Sequence, residues 1–256
     1  MSEYGFGLAE GCDERQPVVL LLDTSQSMGR PSGNPRIDEL NEALTGWFDG
    51  VRAEPRLRAR VEVCLITFDS RVRVFDPDRE RLVPVEEADP DRIFVPVDRM
   101  RPPRLEASGL TRMSEAVEAA LDLARTRHRA LQAQRVQVRR PFLWVLTDGA
   151  PSDANGEPMD AAALAGTARK VRLGEERGEC VLQAIGVRGA DLELLRVLAP
   201  DGALMLEGLP FEQILDLLFR SSDTIGAGGG ADEIHAQTAH LVEQERRMRL
   251  LEEKFR

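Results

Sequence analysis

A small set of oxygen-bearing side chains stands out by type and spacing. Asp23, Ser25 and Ser27 alternate along Asp23-Thr24-Ser25-Gln26-Ser27, Thr111 follows Gly109-Leu110, and Asp148 lies within Thr147-Asp148-Gly149. Carboxylates and hydroxyls are hard oxygen donors, suited to Mg2+, Mn2+ or Ca2+ and poorly suited to zinc, which prefers nitrogen and sulfur. In an extended Asp-x-Ser-x-Ser stretch alternate side chains point the same way, so Asp23, Ser25 and Ser27 are expected to face one point. Each piece alone has a plainer reading, a hydroxyl closing a turn or capping a helix, or Asp-Gly as a tight turn. Their joint occurrence at the ends of buried strands and the start of a helix supports a cation site.

Such a site needs a frame. Val18–Leu22 is a short continuous apolar run, as in a strand buried on both faces of a parallel sheet, and it stops at Asp23. After a loop rich in Gly, Pro and Asn, Asn34 is placed to cap a helix with Pro35 at its first position. Ile37, Leu40, Leu44, Trp47, Phe48 and Val51 then recur at helical spacing. Val61–Phe68 reads as a strand and Arg71–Phe75 as a shorter, half-exposed one. Residues 76–104 read as a long proline-rich surface connection with one strand around Ile93–Val95. A helix begins near Arg112 with the stripe Met113, Ala116, Val117, Ala120, Leu121 and Ala124, and Pro141–Thr147 is another buried strand, ending at Asp148. Helix Asp160–Glu176, strand Cys180–Val187, helix Asp191–Leu198, strand Ala203–Leu206 and helix Phe211–Arg220 complete the alternation.

Strands alternating with helices imply right-handed crossovers and an α/β fold, a central, mostly parallel sheet flanked by helices on both faces. In such sheets ligands bind outside the carboxyl ends of the strands. If the strands ending at Asp23 and Asp148 are neighbours, all three segments meet there.

Composition narrows the partners. The 256 residues carry 44 Asp plus Glu against 34 Lys plus Arg, a formal charge of −10, which argues against a nucleic-acid binder. With 42% hydrophobic residues the chain can bury a core, yet it holds no apolar run long enough to insert in a membrane. Cys12, Cys64 and Cys180 form no Cys-x-x-Cys pair, and the N-terminus lacks a basic-then-apolar leader, so a cytoplasmic location is expected. Residues 1–224 read as one domain, 225–230 as a Gly-rich linker, and 231–256 as a polar helical tail with Ile234, Leu241, Met248 and Phe255 spaced by seven. That tail is expected to dock on its own domain or on a partner. His128, His235 and His240 read as solvated, as does the basic stretch containing Arg125, Arg127, Arg129, Arg135, Arg139 and Arg140.

The set Asp23-Thr24-Ser25-Gln26-Ser27, Thr111 and Leu146-Thr147-Asp148-Gly149 resembles the metal-ion-dependent adhesion site of the von Willebrand factor type A (VWA) domain, over about residues 16–222. The resemblance implies a Rossmann-like VWA fold, with a C-terminal helical tail beyond it. It implies hydroxyl oxygens from Ser25, Ser27 and Thr111, with Asp23 and Asp148 acting directly or through waters on one divalent cation. Mg2+ is expected in a cytoplasm, with Mn2+ or Ca2+ as alternatives, and an open position would accept an Asp or Glu from a partner protein. The segments Val63–Phe68, Gly109–Met113, Phe142–Asp153 and Ala184–Val187 further resemble the bacterial TerY-like proteins of tellurite-resistance and stress-response gene clusters. Such relatives occur beside genes for a kinase-like protein and a phosphatase, which the resemblance implies as partners.

The expected function is therefore metal-dependent protein binding rather than catalysis. One rival is a Mg2+-dependent phosphotransferase or hydrolase in which Asp23 attacks phosphorus. Those enzymes usually need a second acid two residues on, where Ser25 stands, and Lys170 and Lys254, the only lysines, lie far from the motifs. The other rival is a metal-independent scaffold.

Overall fold

The apolar run Val18–Leu22 is the middle of β1 (Glu14–Asp23), the strand around which the sheet is built. The architecture is that of a computed structural model describing residues 14–225 and 229–254. Cys12, the centre of the Gly-rich linker and Phe255 lie outside the described residues. The chain continues through α1 (Arg36–Gly50), α2 (Pro55–Arg60), β2 (Val61–Phe68), β3 (Val72–Asp76), β4 (Arg81–Pro84), β5 (Val95–Pro96), α3 (Met113–Ala133) and β6 (Gln137–Val138). Then follow β7 (Phe142–Thr147), α4 (Ala161–Glu176), β8 (Val181–Gly186), α5 (Leu192–Leu198), β9 (Ala203–Met205), α6 (Phe211–Ile225) and α7 (Ala231–Lys254).

The sheet runs β4-β3-β2-β1-β7-β8-β9, with β5 on β2 and β6 on β1. β1 pairs in parallel with β2 on one side and β7 on the other, and β7, β8 and β9 continue in parallel. β3, β4 and β5 are antiparallel additions. The expected mostly parallel sheet between two helical layers is the structure found.

Strand periodicity sorts the core in two. Val18, Leu20 and Leu22 pack with Trp144 and with α1 and α6 on one face, whereas Val19 and Leu21 pack with Val145, α3, α4 and α5 on the other. Because both faces are covered, the central strands are apolar without a break. Trp47 of α1 stacks on Phe219 of α6 with ring centroids 3.8 Å apart, and Trp144 of β7 meets the same Phe219 edge-on at 4.9 Å. This aromatic cluster fixes α1, the helix that leaves the candidate site, against the sheet.

Several elements differ from the sequence reading. α1 starts at Arg36 with Pro35 in the cap position, one residue later than expected. The 76–104 connection contains β4, and its second strand is Val95–Pro96, while Ile93 and Phe94 are buried side chains beside it. The basic stretch is a solvated face only in part: Arg129 and Arg135 are exposed, but Arg125 pairs with Glu179, Arg127 with Glu62 and Arg139 with Glu14. Glu14 and Glu62 open β1 and β2, and Glu179 precedes β8, so these pairs brace the amino edge of the sheet, opposite Asp23.

The tail docks on its own domain. Ile234 and Val242 of α7 enter the core, Leu241 is half-buried and Met248 is exposed, so the seven-residue row is not one continuous seam. His235 is buried rather than solvated, because its Nε2 lies 3.0 Å from Glu175 Oε1. His128 is half-buried, with its pKa lowered by burial, and His240 alone is exposed as expected. Phe219→Ala removes the ring that joins α1, β7 and α6, and is expected to lower unfolding free energy by about 3–5 kcal/mol in urea denaturation. A loss under about 1 kcal/mol would mean that the cluster is dispensable.

Candidate metal centre

β1 and β7 are neighbours, so the segments that follow them share one edge. From β1 the chain crosses to α1 on one face, and from β7 it crosses to α4 on the other. The strand order reverses at this point, leaving a crevice outside the carboxyl ends. Asp23 is the last residue of β1, and Asp148 follows the last residue of β7.

Asp23 is fully buried. Its Oδ1 accepts the Ser25 amide at 2.7 Å, and its Oδ2 accepts the Thr147 hydroxyl. The expected extended Asp-x-Ser-x-Ser stretch is found only as far as Ser25, because Gln26–Gly29 forms a 3-10 turn. That turn folds Ser27 back, so that the Ser25 and Ser27 hydroxyl oxygens lie 2.9 Å apart. Ser27 Oγ in turn donates to Asp148 Oδ1 at 2.5 Å. The serines therefore converge through a turn rather than through strand alternation.

Thr111 arrives from a third direction. The loop before α3 is stitched to the end of β1 by Ser108 N donating to Thr24 O (2.8 Å) and Gln26 N donating to Gly109 O (3.1 Å). Gly109 has φ of +73°, and a Cβ there would collide with the Ser70 side chain, so the crossing needs glycine. The Thr111 amide donates to Ser152 Oγ at 3.0 Å, and Ser152 N returns a bond to Thr111 O at 2.9 Å. Gly149 shows where these groups converge: a Cβ added to it would sit 3.4 Å from Ser27 Oγ, 3.7 Å from Thr111 Oγ1 and 3.9 Å from Asp23 Oδ2.

The structure thus brings Asp23, Ser25, Ser27, Thr111 and Asp148 into one polar cluster. A cradle of three oxygens around one small open point, in a donor set of three hydroxyls and two carboxylates, fits a hard divalent cation. Among the described residues no group of three or more His, Cys, Asp or Glu side chains comes together.

Other contributors went unread in the sequence. Thr147 orients Asp23, and Ser152 fixes Thr111; both belong to segments already marked, yet neither has a spacing that reveals its role. Arg36 is the larger omission. Its Nη1 lies 2.6 Å from Asp148 Oδ2, and the Asp148 side chain is wholly buried. One signal was available: a cation at the first residue of a helix opposes the helix dipole, which asks for a nearby carboxylate.

Burial dominates the electrostatics. It pushes Asp23 up to about 6, partly offset by the hydrogen bonds from Ser25 and Thr147 and reinforced by the Asp148 charge. Cys64 and Cys180, both buried, have thiols pushed up by desolvation and behave as apolar residues.

The architecture has counterparts among solved structures. The von Willebrand factor domain of the type V pili tip protein Mfa5 from Porphyromonas gingivalis superposes with a TM-score of 0.53 and 11% identity, over 84% of this chain and 97% of that one. A von Willebrand factor type A protein from Catenulispora acidiphila gives a TM-score of 0.50 and 20% identity, over 82% of this chain and 42% of that one. The chain thus spans less than half the length of the latter. No family model matches the sequence, and no curated protein matches it. The protein has the VWA fold, as the motif resemblance implied. No helix among the described residues is long and apolar enough to cross a membrane.

The raised Asp23 value has a stability consequence in the cation-free protein. The folded state keeps this proton between pH 4 and 6, where the unfolded chain has lost it, so the contribution is full below about pH 4 and is lost as pH rises through 6. The loss amounts to roughly 3 kcal/mol. Asp23→Asn should therefore unfold like the parent near pH 4 in chelator, and be more stable by about 1–3 kcal/mol at pH 7. Equal stability of the two proteins at pH 7 would show that Asp23 is not strained by burial.

Proposed function

We propose that this protein is a divalent-cation-dependent protein-binding module. The observation that carries the reading is the convergence of Ser27 Oγ, Thr111 Oγ1 and Asp23 Oδ2 on one point beside Gly149. Ser25, Ser27 and Thr111 supply neutral oxygens, while Asp23 and Asp148 supply charge directly or through waters. Three neutral and two anionic donors leave a bound divalent cation with an open coordination position, which a carboxylate from another protein completes. The cation thereby allows an acidic protein to bind an acidic ligand. An Asp or Glu seated there would be desolvated at the centre of the contact, the position of a hot spot.

Mg2+ is the ion proposed, since its oxygen-donor demands match this set and a cytoplasmic setting favours it over Ca2+. The TerY-like segments support a place in a tellurite-resistance or stress-response assembly, with a kinase-like protein or a phosphatase as the acidic partner. A phosphotransferase reading has less support. Both Asp23 oxygens already accept hydrogen bonds, the carboxylate is fully buried, and Lys170 is engaged with Glu118 between α3 and α4.

The reading is tested by titrating Mg2+ and Mn2+ calorimetrically into the protein and into Asp23→Ala, and by capturing partners from lysate in Mg2+ and in EDTA. Saturable binding lost in Asp23→Ala is expected, as is a partner retained only with cation. A partner held equally in EDTA would replace this reading with a metal-independent scaffold, and phosphatase turnover abolished by Asp23→Ala would replace it with an enzyme. Gly149→Ala is expected to weaken Mn2+ binding by more than about tenfold while changing stability in chelator by less than about 1 kcal/mol, because its methyl meets the oxygens at ordinary contact distance.

A further inference from the structure

Arg36 stands where a positive charge is disfavoured, at the first residue of α1 and facing the positive end of the helix dipole. Its surroundings account for the placement. Nη1 donates to Asp148 Oδ2 at 2.6 Å and lies 3.5 Å from Ser27 O, and Nη2 lies beside Gly189, which closes over Asp148 O. The guanidinium therefore bridges the turn after β1 and the loop after β7. Both Asp148 oxygens are engaged in this arrangement, Oδ1 by the Ser27 hydroxyl and Oδ2 by Arg36. The Arg36 side chain remains 23% exposed, so it has a route into water that Asp148 lacks.

We infer that Arg36 is a built-in counter-ion of the site, set against the divalent cation through the Asp148 carboxylate that both require. This rests on the cation reading given above. Two carboxylates and one guanidinium give the site's own residues a single net negative charge. Arg36 already supplies half the positive charge that a divalent ion would bring, and it withdraws electron density from the carboxylate expected to serve that ion. Two cations sharing one buried carboxylate repel each other across a short, poorly screened distance. The coupling is reciprocal: Arg36 weakens the cation, and the cation loosens Arg36.

The inference also bears on the ligand. With Arg36 in place and a divalent ion bound, the site carries one net positive charge, which one carboxylate from a partner neutralises. Without Arg36 the loaded site would already be neutral, and the demand for an acidic ligand would fall. Arg36 thus makes cation retention depend on an acidic partner, so the two bind together more readily than either binds alone.

The test is Mn2+ titration, read by the loss of the free-ion paramagnetic resonance signal, on the full chain and on Arg36→Gln and Arg36→Lys. Arg36→Gln is expected to bind Mn2+ at least about tenfold more tightly, and Arg36→Lys to stay within about threefold of the parent. The Mn2+-induced rise in Tm should be larger for Arg36→Gln than for the parent, a difference that a purely structural ion pair would not produce. Equal or weaker Mn2+ binding by Arg36→Gln overturns the inference while leaving the cation reading intact. Folded proteins that all fail to bind Mn2+ overturn both. If Arg36→Gln does not fold, Arg36→Met, which keeps the aliphatic stem, is prepared in Mn2+, stripped and titrated against the same criteria.

Discussion

Parallel pairing of β1 with β7 is the constraint on which the rest of the structure depends. It places two strand ends side by side and sends their continuing chains to opposite faces of the sheet. Helix packing alone could not do this, since any strand order with α1 and α4 on the same face would close the crevice. Once the crevice exists, its walls are set by backbone bonds from Thr24, Gln26, Ser108 and Gly109 rather than by flexible side chains. The polar groups are therefore positioned before any ligand arrives, which is the condition for binding with little ordering cost.

That positioning carries a charge problem. A buried carboxylate is costly unless hydrogen bonds or a counter-charge replace the lost water. The two aspartates meet this in different ways. Asp23 is held by a backbone amide and a hydroxyl, neutral donors that only partly offset its desolvation, whereas Asp148 is held by a hydroxyl and a guanidinium. One carboxylate is compensated within the chain and the other is left wanting. An asymmetric pair of this kind leaves one carboxylate charge uncompensated at the crevice, which is what the proposed cation site requires.

The parts of this arrangement visible in the sequence were those written in strong periodicity or unusual residue type. Val18–Leu22 and Phe142–Thr147 could only be buried strands, and aspartates ending such runs mark a sheet edge. β4 escaped notice because Arg81–Pro84 is an edge strand with a single buried residue, Val83, too little for alternation to register. Arg36 escaped because its partner is over a hundred residues away and depends on strand order, which no local pattern encodes. His235 reads as a surface residue because its helix is polar overall, although a few buried positions suffice to dock a helix whose other sides face water.

α7 has a consequence for where this domain ends. Gln183 is a polar residue in the otherwise apolar strand β8, and its amide donates to the Thr238 hydroxyl at 2.6 Å beneath the helix. His235 meets Glu175, and that same carboxylate accepts the amide of Leu182 at the start of β8. The glycines before α7 look like a boundary by composition, but the Gln183 amide nitrogen finds its partner only beyond them. A buried strand amide that donates to a later helix ties the two together, so Gln183 and Thr238 are expected to vary together as the chain diverges.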